Sequence, residues 1–174
     1  MISKLKAIRN HGIDVRFNGD EVILYLGASH GVTAKMIADE VKQGFVFCLD
    51  ISPDSMIDLL RVCEENENMA PMLYDANRPE DYEKKIPKVD FIYQDLAQKD
   101  QAGIFIKNAE RFLKAGGKFI LIIKAMSIDS ARSLKEVIGE VKQKLKGYSL
   151  TDISLERTHR GHYAIIGEKN GKAI

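Results

Sequence analysis

Short apolar runs alternate with longer amphipathic stretches along this chain. Five runs have the length and apolar character of buried strands, namely Val22–Leu26, Phe45–Leu49, Pro71–Tyr74, Val89–Tyr93 and Lys118–Ile123. Between them, apolar residues recur at helical spacing. Strands that alternate with helices indicate a mostly parallel α/β sheet with helices on both faces, because parallel neighbours need crossover connections.

The segments between the runs carry signals for helix boundaries. A helix is predicted over Thr33–Val41, and Ser52-Pro53 has the residue types of an N-cap and a first helical position. Pro79 is expected to begin a short helix. Asp100 is expected to cap a helix that continues through Leu113 and stops at Gly116-Gly117.

The pattern changes after the fifth run. Residues 130–146 predict an amphipathic helix, and Tyr148–Leu155 and His162–Gly167 predict two further strands with a short connection. Such a connection is typical of an antiparallel hairpin. The whole pattern therefore predicts seven strands, with the hairpin as an antiparallel edge of the parallel sheet.

Length and composition are those of an ordinary globular protein. The 174 residues, 45% of them apolar, predict one domain over residues 1–174. No apolar run approaches the roughly 20 residues of a membrane span, and the N-terminus has no apolar signal core. Cys48 and Cys63 are expected to be reduced, buried thiols. These features predict a cytoplasmic protein without a membrane partner, and a monomer is favoured.

Charge is balanced overall but uneven along the chain. Lys and Arg number 26 and Asp and Glu number 25, so the net charge is +1, which argues against binding nucleic acid by charge alone. Residues 1–77 hold 7 basic and 12 acidic residues, a sum of −5, whereas residues 78–174 hold 19 and 13, a sum of +6. The second half favours a polyanion locally; the alternative is that its charges are scattered over solvated helix faces.

The first strand leads into a glycine-containing loop, Gly27-Ala28-Ser29-His30-Gly31-Val32-Thr33. Glycines here let the backbone pass close to a ligand, and the following helix presents free N–H groups. The G-x-x-x-G spacing differs from the fingerprints of nicotinamide dinucleotide and nucleoside triphosphate sites, so both ligands are less favoured.

Carboxylates follow the next three strands. Asp50 can accept hydrogen bonds from both hydroxyls of a ribose, Asp75-Ala76 can meet an adenine amino group, and Asp95 is followed by Gln98. This set fits a nucleoside that bears an amino acid, that is, S-adenosylmethionine (SAM). Each acid taken alone also fits a turn or a helix cap.

Lys124 ends the most apolar strand, where an unpaired charge would be costly. It is expected to face Asp95 across neighbouring strand ends. Lys4 taken alone fits a solvated surface lysine, and His162, at the start of the last strand, fits a structural hydrogen-bonding role. The two cysteines and four dispersed histidines do not have metal-ligand spacing, so no metal is expected.

Several stretches together resemble the fibrillarin family, the SAM-dependent RNA ribose 2′-O-methyltransferases. The resemblance covers nearly the whole chain, and Gln94-Asp95-Leu96-Ala97-Gln98, followed by Ile123-Lys124 and Ser127-Ile128-Asp129, is its most specific part. The other stretches are Ser3-Lys4-Leu5, Leu24-Tyr25-Leu26-Gly27-Ala28, Asp75-Ala76-Asn77-Arg78-Pro79-Glu80, Pro87-Lys88-Val89-Asp90, Gln101-Ala102, Asn108-Ala109-Glu110 and His162.

The resemblance implies a fold and a set of site residues. The fold is that of class I SAM-dependent methyltransferases, Rossmann-like, with seven strands. The family's catalytic Lys-Asp-Lys-His set corresponds to Lys4, Asp95, Lys124 and His162. Its cofactor-binding positions correspond to Gly27, Ala28, Ser29, Gly31, Thr33, Asp50, Ile51, Asp75, Ala76, Asp95 and Gln98.

The resemblance also implies partners: a guide RNA of the box C/D type, a target in rRNA or tRNA, and a Nop5-type scaffold protein. The chain departs from the family pattern at His30, where a small residue is usual, and at Ala125-Met126, where a basic residue is usual. A third departure is that it begins almost at Ser3-Lys4-Leu5, without the β-rich extension that relatives carry before this segment. The glycine-arginine-rich tail of nucleolar relatives is also missing, which favours an archaeal-type, cytoplasmic protein.

Ribose 2′-hydroxyls are poor nucleophiles at neutral pH. Lys124 is therefore expected to act on the 2′-oxygen, as a base or by stabilising negative charge, with Asp95 positioning it and with Lys4 and His162 adding positive potential. Two alternatives stay open at this point. One is a non-catalytic SAM-binding subunit of a ribonucleoprotein, and the other is a methyltransferase that acts on a protein or a small molecule.

Overall fold

A computed structural model describes residues 2–170. Its strands are β1 Val22–Leu26, β2 Phe45–Asp50, β3 Met69–Leu73, β4 Val89–Gln94, β5 Leu113–Lys124, β6 Tyr148–Ser154 and β7 His162–Lys169. Its α-helices are α1 Lys4–Asn10, α2 Val32–Glu40, α3 Pro53–Glu64, α4 Gln101–Phe112, α5 Ala125–Ile128 and α6 Leu134–Lys144, and Pro79–Asp81 form one 3-10 turn.

The strands form one sheet in the order β3-β2-β1-β4-β5-β7-β6. β1 to β5 are parallel to one another, and β7 is antiparallel to both β5 and β6. The predicted seven-stranded sheet with its terminal hairpin is therefore confirmed. The chain order reverses between β1 and β4, and open α/β sheets bind ligands at the carboxyl ends of strands at such a point.

The sheet separates two apolar clusters. Side chains of β5 alternate between them: Leu121 and Ile123 face the cluster under α4 and α6, and Ile120 and Ile122 face the cluster under α1, α2 and α3. Helices therefore cover both faces, as predicted. This burial on both sides explains the continuous apolar run at the end of β5.

Helix N-termini match the boundary signals in the sequence. The Ser52 side chain accepts a hydrogen bond from Ser55 N beside Pro53, and the Asp100 side chain accepts one from Gly103 N. Each satisfies an N–H group that the helix itself leaves free. The cap at Asp100 fixes where α4 begins, close to the carboxyl end of β4.

Several predicted boundaries are wrong. The helix predicted over residues 130–146 covers only Leu134–Lys144. The third strand begins at Met69 and ends at Leu73 rather than covering Pro71–Tyr74; Pro71 is tolerated because β3 is an edge strand. Helix α4 ends at Phe112, and Gly116-Gly117 lie within β5. Val89 pairs with Leu113 but Phe91 pairs with Lys118, so the glycines form a bulge instead of a helix end.

Other expectations concern chain ends, cysteines and membranes. The predicted domain 1–174 includes residues 1 and 171–174, which lie outside the described residues. Cys48 and Cys63 are buried and free of disulfides. Within the described part of the chain, no helix has the length and apolar character needed to cross a membrane.

Candidate active site

A cleft opens at the carboxyl ends of β1, β2, β4 and β5, next to the reversal of strand order. Its cavity volume is about 260 Å³, and it is partly open to solvent; this volume is just below the range of roughly 300–1,000 Å³ typical of small-molecule sites. The residues that line it are Gly27, Ser29, Leu49, Asp50, Ile51, Ser55, Tyr74, Asp75, Ala76, Asp95, Leu96, Ala97, Gln98, Ile104 and Lys124.

Gly27 lets two strand ends approach each other at the floor of the cleft. Its φ is +83°, and a Cβ placed on it would lie 2.6 Å from the Asp95 carbonyl oxygen. The N–H groups of Gly27 and Ala28 both donate to the Leu49 carbonyl. The loop thus needs glycine for its backbone conformation and for the close passage of β4.

Asp50 has its carboxylate fixed by backbone groups. Its Oδ2 accepts a hydrogen bond from Ser29 N at 2.7 Å and its Oδ1 accepts one from Ser52 N at 2.9 Å. Ser29 has φ +49°, which is unusual for a residue other than glycine. The carboxylate therefore stands at the end of β2 with its orientation set before any ligand arrives.

Asp75 and Ala76 form the wall beyond β3. The Asp75 Oδ1 accepts a hydrogen bond from Asn77 N at 2.8 Å. The Ala76 carbonyl accepts one at 2.8 Å from the side-chain amide of Asn108, a fully buried residue of α4. Asn108 thus connects this wall to the helix that begins beside Asp95.

Asp95 lies between two lysines at the inner end of the cleft. Its Oδ2 is 2.7 Å from Lys4 Nζ and its Oδ1 is 2.8 Å from Lys124 Nζ. All three side chains are mostly shielded from solvent: Lys4 is 17% exposed, Asp95 13% and Lys124 22%. Burial alone would raise the pKa of Asp95, but the positive charges of Lys124 and Lys4 outweigh it and hold the pKa below its ordinary value.

Three separate elements bring these groups together. Lys4 is the first residue of α1, Lys124 is the last of β5, and Asp95 directly follows β4, where its N–H donates to the Leu26 carbonyl. Lys124 pairs with His162 in the register of β5 and β7. The His162 Nδ1 lies 2.9 Å from the Arg160 carbonyl, which leaves Nε2 as the other ring nitrogen.

The structure brings together most of the residues that the sequence singles out. Lys124, Asp95, Gly27, Ser29, Asp50, Ile51, Asp75, Ala76 and Gln98 line the cleft, and Lys4 and His162 adjoin its inner end through Asp95 and Lys124. Ala28, Gly31 and Thr33 do not line it. Gly31 faces Leu59 and Val62 of α3 instead, and the Thr33 side chain hydrogen-bonds to Tyr25.

Gln101 is a residue of this site that the sequence did not single out for a role. It is fully buried, and its side chain accepts from Lys124 N at 3.0 Å and donates to the carbonyls of Lys124 at 3.2 Å and Gln98 at 2.9 Å. It thereby fixes the end of β5 to the loop after β4. A polar residue at a buried position of an amphipathic helix is the signal that could have found it.

His159 is the second such residue. Its ring centroid lies 6.0 Å from that of His162, in an edge-to-face arrangement. Burial, followed by the positive charges of Lys4 and His162, lowers the pKa of His159. His159 precedes the last strand by three positions, and no sequence pattern indicated that it would approach Lys4.

The geometry of the cleft suits a bound nucleoside with a charged tail. Fixed carboxylates at Asp50 and Asp75 can accept hydrogen bonds from hydroxyl and amino groups, and the glycine loop admits close approach of the backbone. Within residues 2–170, no group of three or more His, Cys, Asp or Glu side chains could hold a metal ion. His30 points away from the cleft and contacts Asp58 at 3.0 Å.

Comparison with known proteins gives the same family from sequence and from structure. A family model described as Fibrillarin matches residues 1–171. The fibrillarin-like rRNA/tRNA 2′-O-methyltransferase of Methanocaldococcus jannaschii is 42% identical over 174 residues, covering 98% of this chain and 76% of that protein. Its counterpart in Archaeoglobus fulgidus is 39% identical over 165 residues, covering 94% and 79%.

Solved structures of fibrillarins are also similar to this chain. A fibrillarin/Nop5p complex contains a chain with a TM-score of 0.93 and 38% identity, over 96% of this chain and 81% of that one. Aeropyrum pernix fibrillarin with natively bound S-adenosyl-L-methionine has a TM-score of 0.86 and 34% identity, over 94% and 74%. The predicted class I methyltransferase fold is thus confirmed, and the chain belongs to the fibrillarin family.

Proposed function

We propose that this protein transfers a methyl group from SAM to a ribose 2′-hydroxyl of rRNA or tRNA. The observation that carries the proposal is the partly buried Lys4–Asp95–Lys124 cluster at the inner end of a cleft that is also lined by Asp50 and Asp75. This chain matches 76% and 79% of the length of two relatives that are named for that activity.

The cleft residues would hold SAM by its separate parts. Asp50 would accept hydrogen bonds from the ribose hydroxyls, Asp75 and Ala76 would flank the adenine, and the loop at Gly27 and Gln98 would surround the amino-acid tail. Bound SAM supplies an activated methyl group on a positively charged sulfur. Because Asp50 is already oriented by Ser29 and Ser52, binding requires little rearrangement there.

The charge balance of the cluster favours development of an oxyanion. Asp95 is ionised at neutral pH, since its pKa is lowered, so two lysines and one carboxylate leave a net charge of +1 beside the cleft. Attack by the 2′-oxygen would break the bond between the methyl group and the sulfur of SAM, and the hydroxyl proton would leave to water, because the cleft is partly open to solvent. The net positive charge would stabilise the oxygen as it loses that proton. Lys124 lines the cleft and would contact the 2′-oxygen, and Asp95 would hold Lys124 in place.

Lys4 and His162 extend the positive potential on either side of Lys124. Lys4 and Lys124 both contact Asp95, and His162 lies opposite Lys124 in the pairing of β5 with β7. With Nδ1 directed at the Arg160 carbonyl, the Nε2 of His162 would orient the attacking hydroxyl. The four residues would therefore act on one oxygen, and alignment of that oxygen with the methyl group would supply much of the acceleration.

Guide and scaffold belong to the same proposal. A net charge of +1 is too small for tight RNA binding by charge alone, so a guide RNA of the box C/D type and a Nop5-type scaffold would deliver the target. A fibrillarin of known structure is complexed with Nop5p. The cytoplasmic location stays a prediction.

Substitution of Lys124 tests the proposal directly. Lys124→Ala is expected to bind SAM with nearly unchanged affinity in calorimetry and to lose methyl transfer to guide-paired RNA by at least about 100-fold. Lys118→Ala is the matched control, because Lys118 is an exposed lysine six positions before Lys124 in the same strand, and it is expected to retain transfer. Near-normal transfer by Lys124→Ala would refute the role of this lysine.

A further inference from the structure

Ion pairing of the arginines is uneven across the molecule. The chain has eight arginines, and six of them lie within 3.1 Å of a carboxylate: Arg9, Arg16, Arg61, Arg78, Arg111 and Arg132. Among residues 2–170, Arg157 and Arg160 form no such pair, and both are exposed. Both lie in one short loop, between β6 and β7.

This loop adjoins the catalytic cluster. The Gly161 carbonyl accepts a hydrogen bond at 3.1 Å from Ala125 N, the residue after Lys124. The loop ends at His162, directly opposite Lys124 in the strand register. Arg157 and Arg160 are therefore carried on the segment that borders the place where the attacking oxygen would lie.

Hydrogen bonds within the loop fix its shape. Thr158 N and His159 N both donate to the Leu155 carbonyl, at 2.9 and 2.7 Å. Glu156, the acid next to Arg157, uses its Oε1 to accept from Gly161 N at 2.8 Å. The nearest carboxylate in sequence thus closes the loop, and it does not neutralise either guanidinium group.

An apolar side chain stands beside the two cations. Met126 is 68% exposed, and its Cγ lies 3.6 Å from the position a Cβ on Gly161 would take. It follows Lys124 by two positions, in the segment where the family pattern has a basic residue. An exposed apolar side chain thus adjoins the loop that carries the two arginines.

We propose that this loop binds the RNA strand that carries the target nucleotide, a step that rests on the function proposed above. Arg157 and Arg160 would bind phosphates on either side of that nucleotide, since guanidinium groups pair with phosphate oxygens in two-point contacts. Met126 would lie against the sugar or base between them. Phosphodiesters fit better than a carboxylate-bearing protein surface, because the cations border the position of the ribose itself.

The test compares RNA affinity of Arg157→Gln/Arg160→Gln with that of Arg16→Gln/Arg111→Gln, which removes two charges at ion-paired positions outside the loop. The probe is a short fluorescent guide–target RNA duplex, titrated by anisotropy at several salt concentrations without scaffold protein. The loop variant is expected to bind about tenfold more weakly at low salt, with a salt slope smaller by about 1.5. The control is expected to match the wild type.

Equal affinity and slope in the loop variant and the wild type would overturn the inference. So would an absence of measurable RNA binding by the wild type. Binding of a Nop5-type scaffold is measured in a separate titration, and a loss in the loop variant confined to that titration would overturn the inference too, because it would assign the loop to an acidic protein surface. Methyl transfer is measured in parallel. Loop-dependent RNA binding by a wild type that transfers no methyl group would refute the proposed function and leave the loop's role standing.

Discussion

Asp95 determines how the two lysines of the cluster are held. It contacts Lys4 and Lys124 through different carboxylate oxygens, and its side chain is only 13% exposed. If the carboxylate is removed, two ammonium groups face each other with poor access to water, which is unfavourable. The position of Lys124 therefore depends on the charge of Asp95 as well as on the strand that carries it.

Asp95→Asn is expected to reduce methyl transfer by about 100-fold and to destabilise the protein by about 2 kcal/mol, since it leaves partly buried charges unpaired. Methylation kinetics and denaturant unfolding measure the two effects. Asp90→Asn is the control, because Asp90 also pairs with a lysine, Lys114 at 2.6 Å, at the opposite end of the same strands. Asp90→Asn with the same loss of transfer would contradict the assignment.

Site residues that directly follow predicted strands could be found from the sequence, whereas site residues in helices and loops could not. Asp50, Asp75 and Asp95 follow apolar runs, and parallel strands place such residues at one edge of the sheet. Gln101 and His159 lie in a helix and a loop whose approach to Lys124 and Lys4 depends on tertiary packing. Lys4 entered only through the family resemblance, because its distance of 91 residues from Asp95 leaves no local signal.

At the scale of elements, the glycine loop after β1 sets the spacing between two strand ends. Gly27→Ala is expected to destabilise the protein by about 2–3 kcal/mol and to weaken SAM binding, because the new methyl group would press on the Asp95 carbonyl at 2.6 Å. Thermal unfolding and calorimetry with SAM measure these effects.

Gly12→Ala separates the two causes of that loss. Gly12 has a similar φ of +80° but no atom within 4 Å of an added Cβ. Gly12→Ala is expected to lower the free energy of unfolding by about 1 kcal/mol through backbone strain alone, and to leave SAM affinity unchanged. Equal effects of both substitutions would mean that close approach to Asp95 is unimportant.

The order and type of the seven strands and of helices α2, α3, α4 and α6 were readable from the sequence, whereas helices α1 and α5 and several element ends were not. Apolar runs and capping residues such as Ser52 and Asp100 act locally, so their pattern is visible in the chain. Gly116-Gly117 has the same composition as a helix end, but pairing with β4 makes it a bulge. A pairing partner far along the chain decides that outcome, and local composition does not record it.

At the scale of the whole molecule, stability should depend on pH through Asp95. Its folded pKa lies below the ordinary value of about 4 for aspartate. A lowered folded pKa contributes stability that is fully present above the unfolded value and lost as pH falls through the folded one. The difference in unfolding free energy between wild type and Asp95→Asn is expected to be constant from about pH 5 to 8 and to shrink below about pH 4.

Unfolding curves of both proteins at each pH provide that comparison. A difference that stayed constant down to about pH 2 would mean that the Asp95 carboxylate is not held ionised by its two lysines. Other carboxylates with lowered pKa, such as Asp90 and Asp100, are common to both proteins and cancel in the difference.

The uneven charge along the chain corresponds to a division of the site. Asp50 and Asp75, the carboxylates proposed to hold the cofactor, lie in the acidic half, whereas Lys124, Arg157 and Arg160 lie in the basic half. The small net charge therefore combines two halves of opposite charge that both contribute residues to the proposed site. Lys4 is the exception, a basic residue from the acidic half that reaches Asp95.

The central claim is that the cluster acts on a ribose 2′-oxygen. The most direct measurement is methyl transfer from radiolabelled SAM, with guide RNA and scaffold protein, to two target RNAs that differ only in a 2′-deoxyribose at the target nucleotide. The account predicts label in the ribose target and none in the deoxy target. Equal label in both RNAs, or label on the protein components instead of the RNA, would contradict it.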